Sequence, residues 1–349
     1  MDNNFKVGIL DYHVYLPEKT ITAEELSAIT NVPVNVLKDK MGIHRKYVGG
    51  SDDHPGIMAV KAAKEVLKKT GVKPLDIDLI LYAGETYAEY TCWTIGIYVQ
   101  QQIGATVDSC YAFDLSFRCA GTPLALKVAK ETMYSDPSLK TVMVVGGNVN
   151  CNLANLKDPT HSFMYNMAPG AFAAILVRDL DKNNILGTGI VTDPVFATNV
   201  VGVGGGSRHL TMEKVREIME NPKILDQINY AQLNDLEQMK DNLNKRSLPD
   251  FTNAVKKACK NSGIKPEEID YLSMVATSPR SQFGVMDALG IARDKTVYHY
   301  DYGHCGHADN FLGLNLGIEA GKIKNGSNVC MLGAGTGYAF SSSIIKWGK

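Results

Sequence analysis

The chain has 349 residues, 45% of them hydrophobic and 21% charged, with 36 Lys and Arg set against 37 Asp and Glu. At roughly 150 residues per domain that length suggests about two domains and a sizeable apolar core, which excludes a disordered chain or a disulfide-stapled mini-fold. The net charge of -1 argues against nucleic acid or an anionic membrane as the main partner.

In chain order, the N-terminal MDNNFKVGIL lacks a basic stretch followed by an apolar one, so no leader is expected. Val7 to Leu10 reads as a first buried strand. Pro55 to Lys69 has helical spacing, with Ile57, Val60, Ala63 and Leu67 on one face. Leu79 to Ala83 is a strand, Gly121 to Met133 a helix presenting Leu124, Val128 and Ala129, and Thr141 to Val145 and Ala173 to Val177 are strands. Residues 207–249 are charged, helical and Met-rich, either covering a pocket or forming a solvated surface pair. Tyr271 to Val275 and Val329 to Leu332 close the series as strands. No run approaches the ~18 apolar residues of a membrane span. Strands alternating with helices specify an α/β architecture.

An internal repeat organises these elements. GVKPLDIDLILYAGE begins at Gly71 and GIKPEEIDYLSMVAT at Gly263, an offset of 263 − 71 = 192. YAFDLSFRC from Tyr111 and YHYDYGHCG from Tyr298 share Tyr and Asp at an offset of 187, and TVMVVGG and NVCMLGA match at the same offset. Three matched blocks in one order indicate two copies of one α/β unit, 1–179 and 180–349, the second carrying the helical insertion at about 207–249. Copies packed about a pseudo-dyad bring equivalent points together near the axis, which suits a shared active site.

The seven cysteines include no CxxC and read as reduced thiols in a cytoplasmic protein. Cys119 differs from a buried structural cysteine in its setting. It lies where a strand ends near Leu115 and a helix begins, beside Arg118 and the small pair Ala120-Gly121. Free N–H groups and the positive end of a helix dipole favour thiolate, the nucleophilic form.

These residues resemble the thiolase superfamily, and within it the β-ketoacyl-ACP synthase III group. MGIHRKYV (Met41 to Val48), AFDLSFRCAGTPLAL around Cys119, VMVVGGNV from Val142, and LGAGTGYAFSSSIIKW from Leu332 carry the likeness over nearly the whole chain. The resemblance implies a five-layer αβαβα fold of two pseudo-symmetric halves and a homodimer. It implies an acyl-thioester on Cys119, coenzyme A or an acyl carrier protein as acyl donor, and no tightly bound cofactor.

The departures point to chemistry other than a standard ketosynthase. Where the family carries His in an H-Q-A-N run, this chain reads SMVATSPRS from Ser273, and no histidine lies between His209 and His299. Where the family carries Asn, His304 follows Gly303; its G-D-G-A segment here reads Ala168-Pro169-Gly170-Ala171. Two neutral donors normally stabilise the enolate formed by decarboxylation, and loss of one costs on the order of 10²–10³ in rate. An imidazole instead takes a proton from an attacking hydroxyl, amine or thiol. Cys119 with His304 as base therefore suits an acyltransferase in fatty-acid-like or polyketide biosynthesis. His307 packs or orients a backbone, and Asp309 holds a histidine tautomer. GHCGHAD has no further His/Cys pair at ligand spacing, so no metal is expected.

Glu85 follows a strand in a position similar to the catalytic Glu of hydroxymethylglutaryl-CoA synthases. It is either a general base or a solvated loop carboxylate. With Glu85 or His304 replacing the usual pair, a carbon–carbon condensing synthase is the alternative reading; a non-catalytic partner subunit on the same fold is a third. Arg45, Lys46 and Arg280 are candidates for the phosphates of coenzyme A or phosphopantetheine. GVGGGS (Gly202 to Ser207) lacks a P-loop lysine and reads as a loop.

Overall fold

The computed structural model describes residues 5–202, 204, 206–207 and 211–349. The expectations for 203, 205 and 208–210, within the glycine run and the start of the insertion, lie outside the described residues. In chain order the strands are β1 (Val7–Tyr15), β2 (Lys19–Thr22), β3 (Arg45–Val48), β4 (Leu79–Tyr82), β5 (Tyr111–Asp114), β6 (Thr141–Asn148), β7 (Gly170–Arg178), β8 (Asn184–Thr192), β9 (Val200–Gly202), β10 (Ala231–Leu233), β11 (Tyr271–Met274), β12 (Asn328–Gly335) and β13 (Ala339–Lys346). The helices are α1 (Ala23–Thr30), α2 (Pro55–Thr70), α3 (Ile95–Ile103), α4 (Gly121–Ser135), α5 (Met212–Glu220), α6 (Ile224–Ile228), α7 (Leu236–Ser262), α8 (Pro279–Leu289) and α9 (Asp309–Glu319).

The repeat seen in the sequence becomes two sheets of matching design. In the first half the order is β5-β4-β6-β7-β1, with β4, β5 and β6 parallel and β7 and β1 antiparallel. In the second it is β11-β12-β13-β8, with β11 and β12 parallel and β13 and β8 antiparallel. A single residue pair, Gly8 with Asn184, joins β1 to β8 and makes the two sheets continuous. Helices α4 and α9 occupy the layer between the sheets; α2 and α3 cover the first sheet outside, and α7 and α8 cover the second. This is the thiolase-like αβαβα arrangement.

Parallel strands covered on both faces must be apolar throughout, and β4 (Leu-Ile-Leu-Tyr) is fully buried. The buried face of α2 is broader than its spacing suggests. Met58, Ala59, Ala62, Ala63 and Val66 are buried, while Ile57 is only half-buried. On α4 the small residues Ala125 and Ala129 are buried with Leu126 and Met133, and Leu124 and Val128 are half-buried. A helix held between two sheets needs small side chains for close approach.

The region read as one helical insertion contains α5, α6 and the β9–β10 hairpin. It has no break at residue 249, because α7 runs without interruption into the outer layer of the second half. Asp235 caps that helix through the N–H of Gln238. Among the described residues no helix is long and apolar enough to cross a membrane.

Candidate active site

Cys119 sits on a short 3-10 turn, Arg118–Ala120, that leads straight into α4, so the thiol stands at a helix entrance. The turn is tight. Arg118 adopts φ 52°, a left-handed conformation uncommon for a side chain of its size. Gly335 at the end of β12 makes room for it: a Cβ on Gly335 would come within 2.5 Å of the Arg118 Cβ and 2.9 Å of the Cys119 nitrogen.

The second half presents an equivalent turn, Gly306–Ala308, leading into α9. His304 enters the site just before it. Its backbone is clamped to the loop after the turn at Pro159–Met164: the His304 N–H donates to Asn166 O at 2.7 Å, and the Ala168 N–H donates to His304 O at 2.9 Å. Gly303 has φ 77°, and a Cβ there would meet Asn166 O at 2.7 Å, so only glycine brings the chain into this clamp. Ala168, which stands in the altered G-D-G-A segment, is thus part of the support for His304.

His304 Nδ1 lies 2.6 Å from Asp309 Oδ2. Asp309 is fully buried at the start of α9 and also accepts the N–H groups of Cys305 and Ala276, both at 2.7 Å. Burial works against its charge, but His304, with those donors, keeps its pKa below the usual carboxylate range. For His304, burial disfavours the charged ring, yet Asp309 and the facing Cys119 thiol outweigh it and hold the imidazole well above its ordinary pKa. Burial pushes the Cys119 thiol up, and His304 offsets that only in part.

On its other side the thiol faces Glu85, with Sγ donating to Oε1 at 3.7 Å. Glu85 is no solvated loop carboxylate: its side chain is 1% exposed and its Oε2 accepts from Arg118 Nη1 at 3.1 Å. Arg118 also donates to Thr86 Oγ1 at 2.7 Å. A cavity of about 750 Å³ opens at Glu85 and Arg118. Met164, Met167 and Val200 form part of its wall, and Ile218, Leu225 and Ile228 from α5 and α6 cover it.

The remaining sequence candidates fall elsewhere. His307 is fully buried, and among the described residues neither ring nitrogen has a partner. Its carbonyl accepts from Thr122 on α4, and burial lowers its pKa, so it packs the two central turns together. Lys46 does not stand at the surface as a phosphate ligand would: it is 3% exposed, its Nζ donates to Met167 O at 2.9 Å, and burial brings its pKa down to about 8. An interior ammonium does not meet a phosphate arriving from solvent. Arg45 on β3 and Arg280 on α8 are exposed, and neither lines the cavity. Among the described residues no group of three His, Cys, Asp or Glu is placed to hold a metal.

Sequence reasoning missed two neighbours. His299 is buried with Nδ1 3.9 Å from Asp309 Oδ1, and nothing in its sequence context distinguishes it. Arg118 was visible only as a charge beside Cys119, and its pairing with Glu85 depends on the turn. Past β11, where the family's histidine would stand, Thr277 offers a buried hydroxyl without a partner among the described residues.

Residues 113–194 match the family 3-oxoacyl-[acyl-carrier-protein] synthase III, and residues 259–347 match its C-terminal family. These matches make the chain similar to the ketoacyl synthase III-like group of the thiolase superfamily. Within this group it is similar to the beta-ketoacyl-[acyl-carrier-protein] synthase III of Clostridium acetobutylicum, 26% identical over 98% of this chain and 99% of that protein. The Synechocystis sp. protein of the same name is 24% identical over 95% of each chain. Among solved structures, 3-oxoacyl-[acyl-carrier-protein] synthase III from Aquifex aeolicus superposes with a TM-score of 0.81 at 22% identity, covering 98% of this chain and 100% of that one. Xanthomonas campestris OleA, solved with lauric acid and lauroyl-CoA, superposes with a TM-score of 0.79 at 18% identity, covering 98% and 99%. The likeness supports a transferase of the acyl-transferring, condensing type.

Proposed function

We propose that the chain is an acyltransferase in which Cys119 carries the acyl group and His304, oriented by Asp309, moves the protons. The observation that carries this reading is the buried line Asp309–His304–Cys119, whose thiol faces Glu85, a residue that lines the cavity. His304 takes the proton of the Cys119 thiol as the sulfur attacks the carbonyl of an acyl-CoA or acyl carrier protein thioester, and the departing thiolate takes that proton back from the imidazolium. An acceptor hydroxyl, amine or thiol then gives its proton to His304 as it attacks the acyl-enzyme, and Cys119 leaves as thiolate. Asp309 fixes the tautomer that leaves Nε2 free and stabilises the imidazolium formed in each half-reaction.

A second reading is favoured by the position of Glu85. A carboxylate 3.7 Å from the nucleophilic sulfur is within reach of the α-carbon of a bound acyl group. As a base there it would generate the carbanion of a carbon–carbon condensation. A non-catalytic partner subunit has no need of a thiol, an imidazole and a buried carboxylate in series. Intact-protein mass spectrometry after mixing with acyl-CoAs tests the shared first step, and products formed with an added nucleophile separate transfer from condensation. A homodimer acting in the cytoplasm, with donors delivered on coenzyme A or a carrier protein, fits both enzymatic readings.

A further inference from the structure

Arg118 is not used by the steps above. It lines the cavity with Glu85, and these two are the only charged residues that do so among the described residues. Both of its hydrogen bonds leave from Nη1, one to Glu85 Oε2 and one to Thr86 Oγ1. Nε and Nη2 make none among the described residues, although a guanidinium carries five donors in a planar fork. The side chain is 42% exposed, against 1% for Glu85, so the arginine reaches open space as well as its buried partner. The site is also built: the left-handed turn and the absence of a Cβ at Gly335 set the direction in which this arginine leaves the backbone.

We infer that Arg118 recognises a free carboxylate carried by the acyl thioester a few bonds from its carbonyl. This rests on Cys119 as the acyl carrier. Glu85 shows the spacing, because one carboxylate reaches from 3.1 Å of Nη1 to 3.7 Å of the Cys119 sulfur. A second carboxylate, on the acyl group, meets the Nη2 edge while Glu85 keeps Nη1, and the cation between them screens their repulsion. An ion-paired carboxylate is stabilised as it stands, so the acyl group is retained whole. The ligand class is a dicarboxylic acyl thioester, for which succinyl-CoA is the probe and butyryl-CoA its neutral counterpart.

Binding is measured by calorimetry on full-length Cys119→Ala protein, where no acyl transfer intervenes. Succinyl-CoA is expected to bind roughly 10- to 100-fold more tightly than butyryl-CoA, the range of a charge-assisted contact at a partly enclosed site. Adding Arg118→Gln brings the ratio to near one. Arg118→Gly, which relaxes the left-handed turn, does the same and guards against misfolding of the first variant. Adding Glu85→Gln raises the ratio, since the negative charge that repels the substrate carboxylate is lost; a purely structural arginine would not give that result. Equal binding of the two thioesters, or a ratio unchanged by both Arg118 variants, overturns the inference. If discrimination is present but wild-type Cys119 forms no thioester, the acyl-carrier reading fails and carboxylate recognition stands.

Discussion

Asp309 Oδ2 lies 2.6 Å from His304 Nδ1, and the same carboxylate receives the backbone N–H of Cys305 and of Ala276. One buried side chain thereby fixes the imidazole facing Cys119, the turn that follows it, and the end of the strand where the family's histidine is missing. Two of its three hydrogen-bond partners are backbone groups, so the carboxylate keeps its place in the fold when His304 is replaced.

The first prediction follows from the raised pKa of His304. The ring accepts a proton only after losing its own, so the rate of Cys119 acylation should rise with pH through a value above the ordinary ~6.5 of imidazole. Asp309→Asn leaves burial as the dominant influence and lowers that pKa. The limb should then move to lower pH while the plateau falls roughly 10²–10⁴-fold. Stopped-flow acylation across pH reads both. A limb that does not move assigns the titration to another group.

Cys119→Ala should abolish the acyl adduct seen by intact-protein mass spectrometry, whereas Cys110→Ala and Cys305→Ala retain it. Cys305 is as buried as Cys119, but among the described residues its sulfur hydrogen-bonds the carbonyl of Tyr302, at 3.7 Å, and no carboxylate or imidazole. An adduct on the Cys119 variant assigns the acyl group to another residue.

His304→Ala should permit slow acylation yet reduce transfer to an acceptor by roughly 10²–10⁴-fold. His304→Asn restores the family's residue while removing the base, so it should be as slow as Ala. Recovery by Asn points to hydrogen-bond donation to an oxyanion and moves the base to Glu85.

Malonyl-CoA should lose little CO₂ on this protein compared with a ketosynthase carrying the His and Asn pair. Ser273 and Thr277 stand on and after β11 where an imidazole would be needed, and Ser273 is already committed to Asn310 O at 2.7 Å. Release of labelled CO₂ at ketosynthase rates, with a carbon–carbon product, favours the condensing reading.

Gly335→Ala should lower stability by about 1–3 kcal/mol, the usual range for forcing a methyl group into a packed site. Its Cβ would strike Arg118 and the Cys119 backbone, so thioester formation should slow as well. Thermal melts and the acylation rate report the two effects separately, and a variant normal in both means the elbow yields easily.

The sequence by itself determined the duplication. The matched runs at Gly71 and Gly263 mark equivalent approaches to β4 and β11, because burial on both faces imposes the same apolar strand wherever the unit is repeated. It also located Cys119 and, at a nearly equivalent point of the second copy, His304, because each copy places a turn at a helix entrance. Only the tertiary structure decided which charges meet. Lys46 and Arg45 are adjacent in one short strand, yet the alternation of side chains sends the first inward to Met167 and the second outward. Glu85 and Arg118 are 33 residues apart, and they pair because β4 and the elbow after β5 end side by side in a parallel sheet. Helical periodicity marked Ile57 and Leu124 as core, but the layers on either side closed on the alanines, where two backbones approach most closely. Such selections depend on distances between segments remote in sequence, which no local pattern encodes.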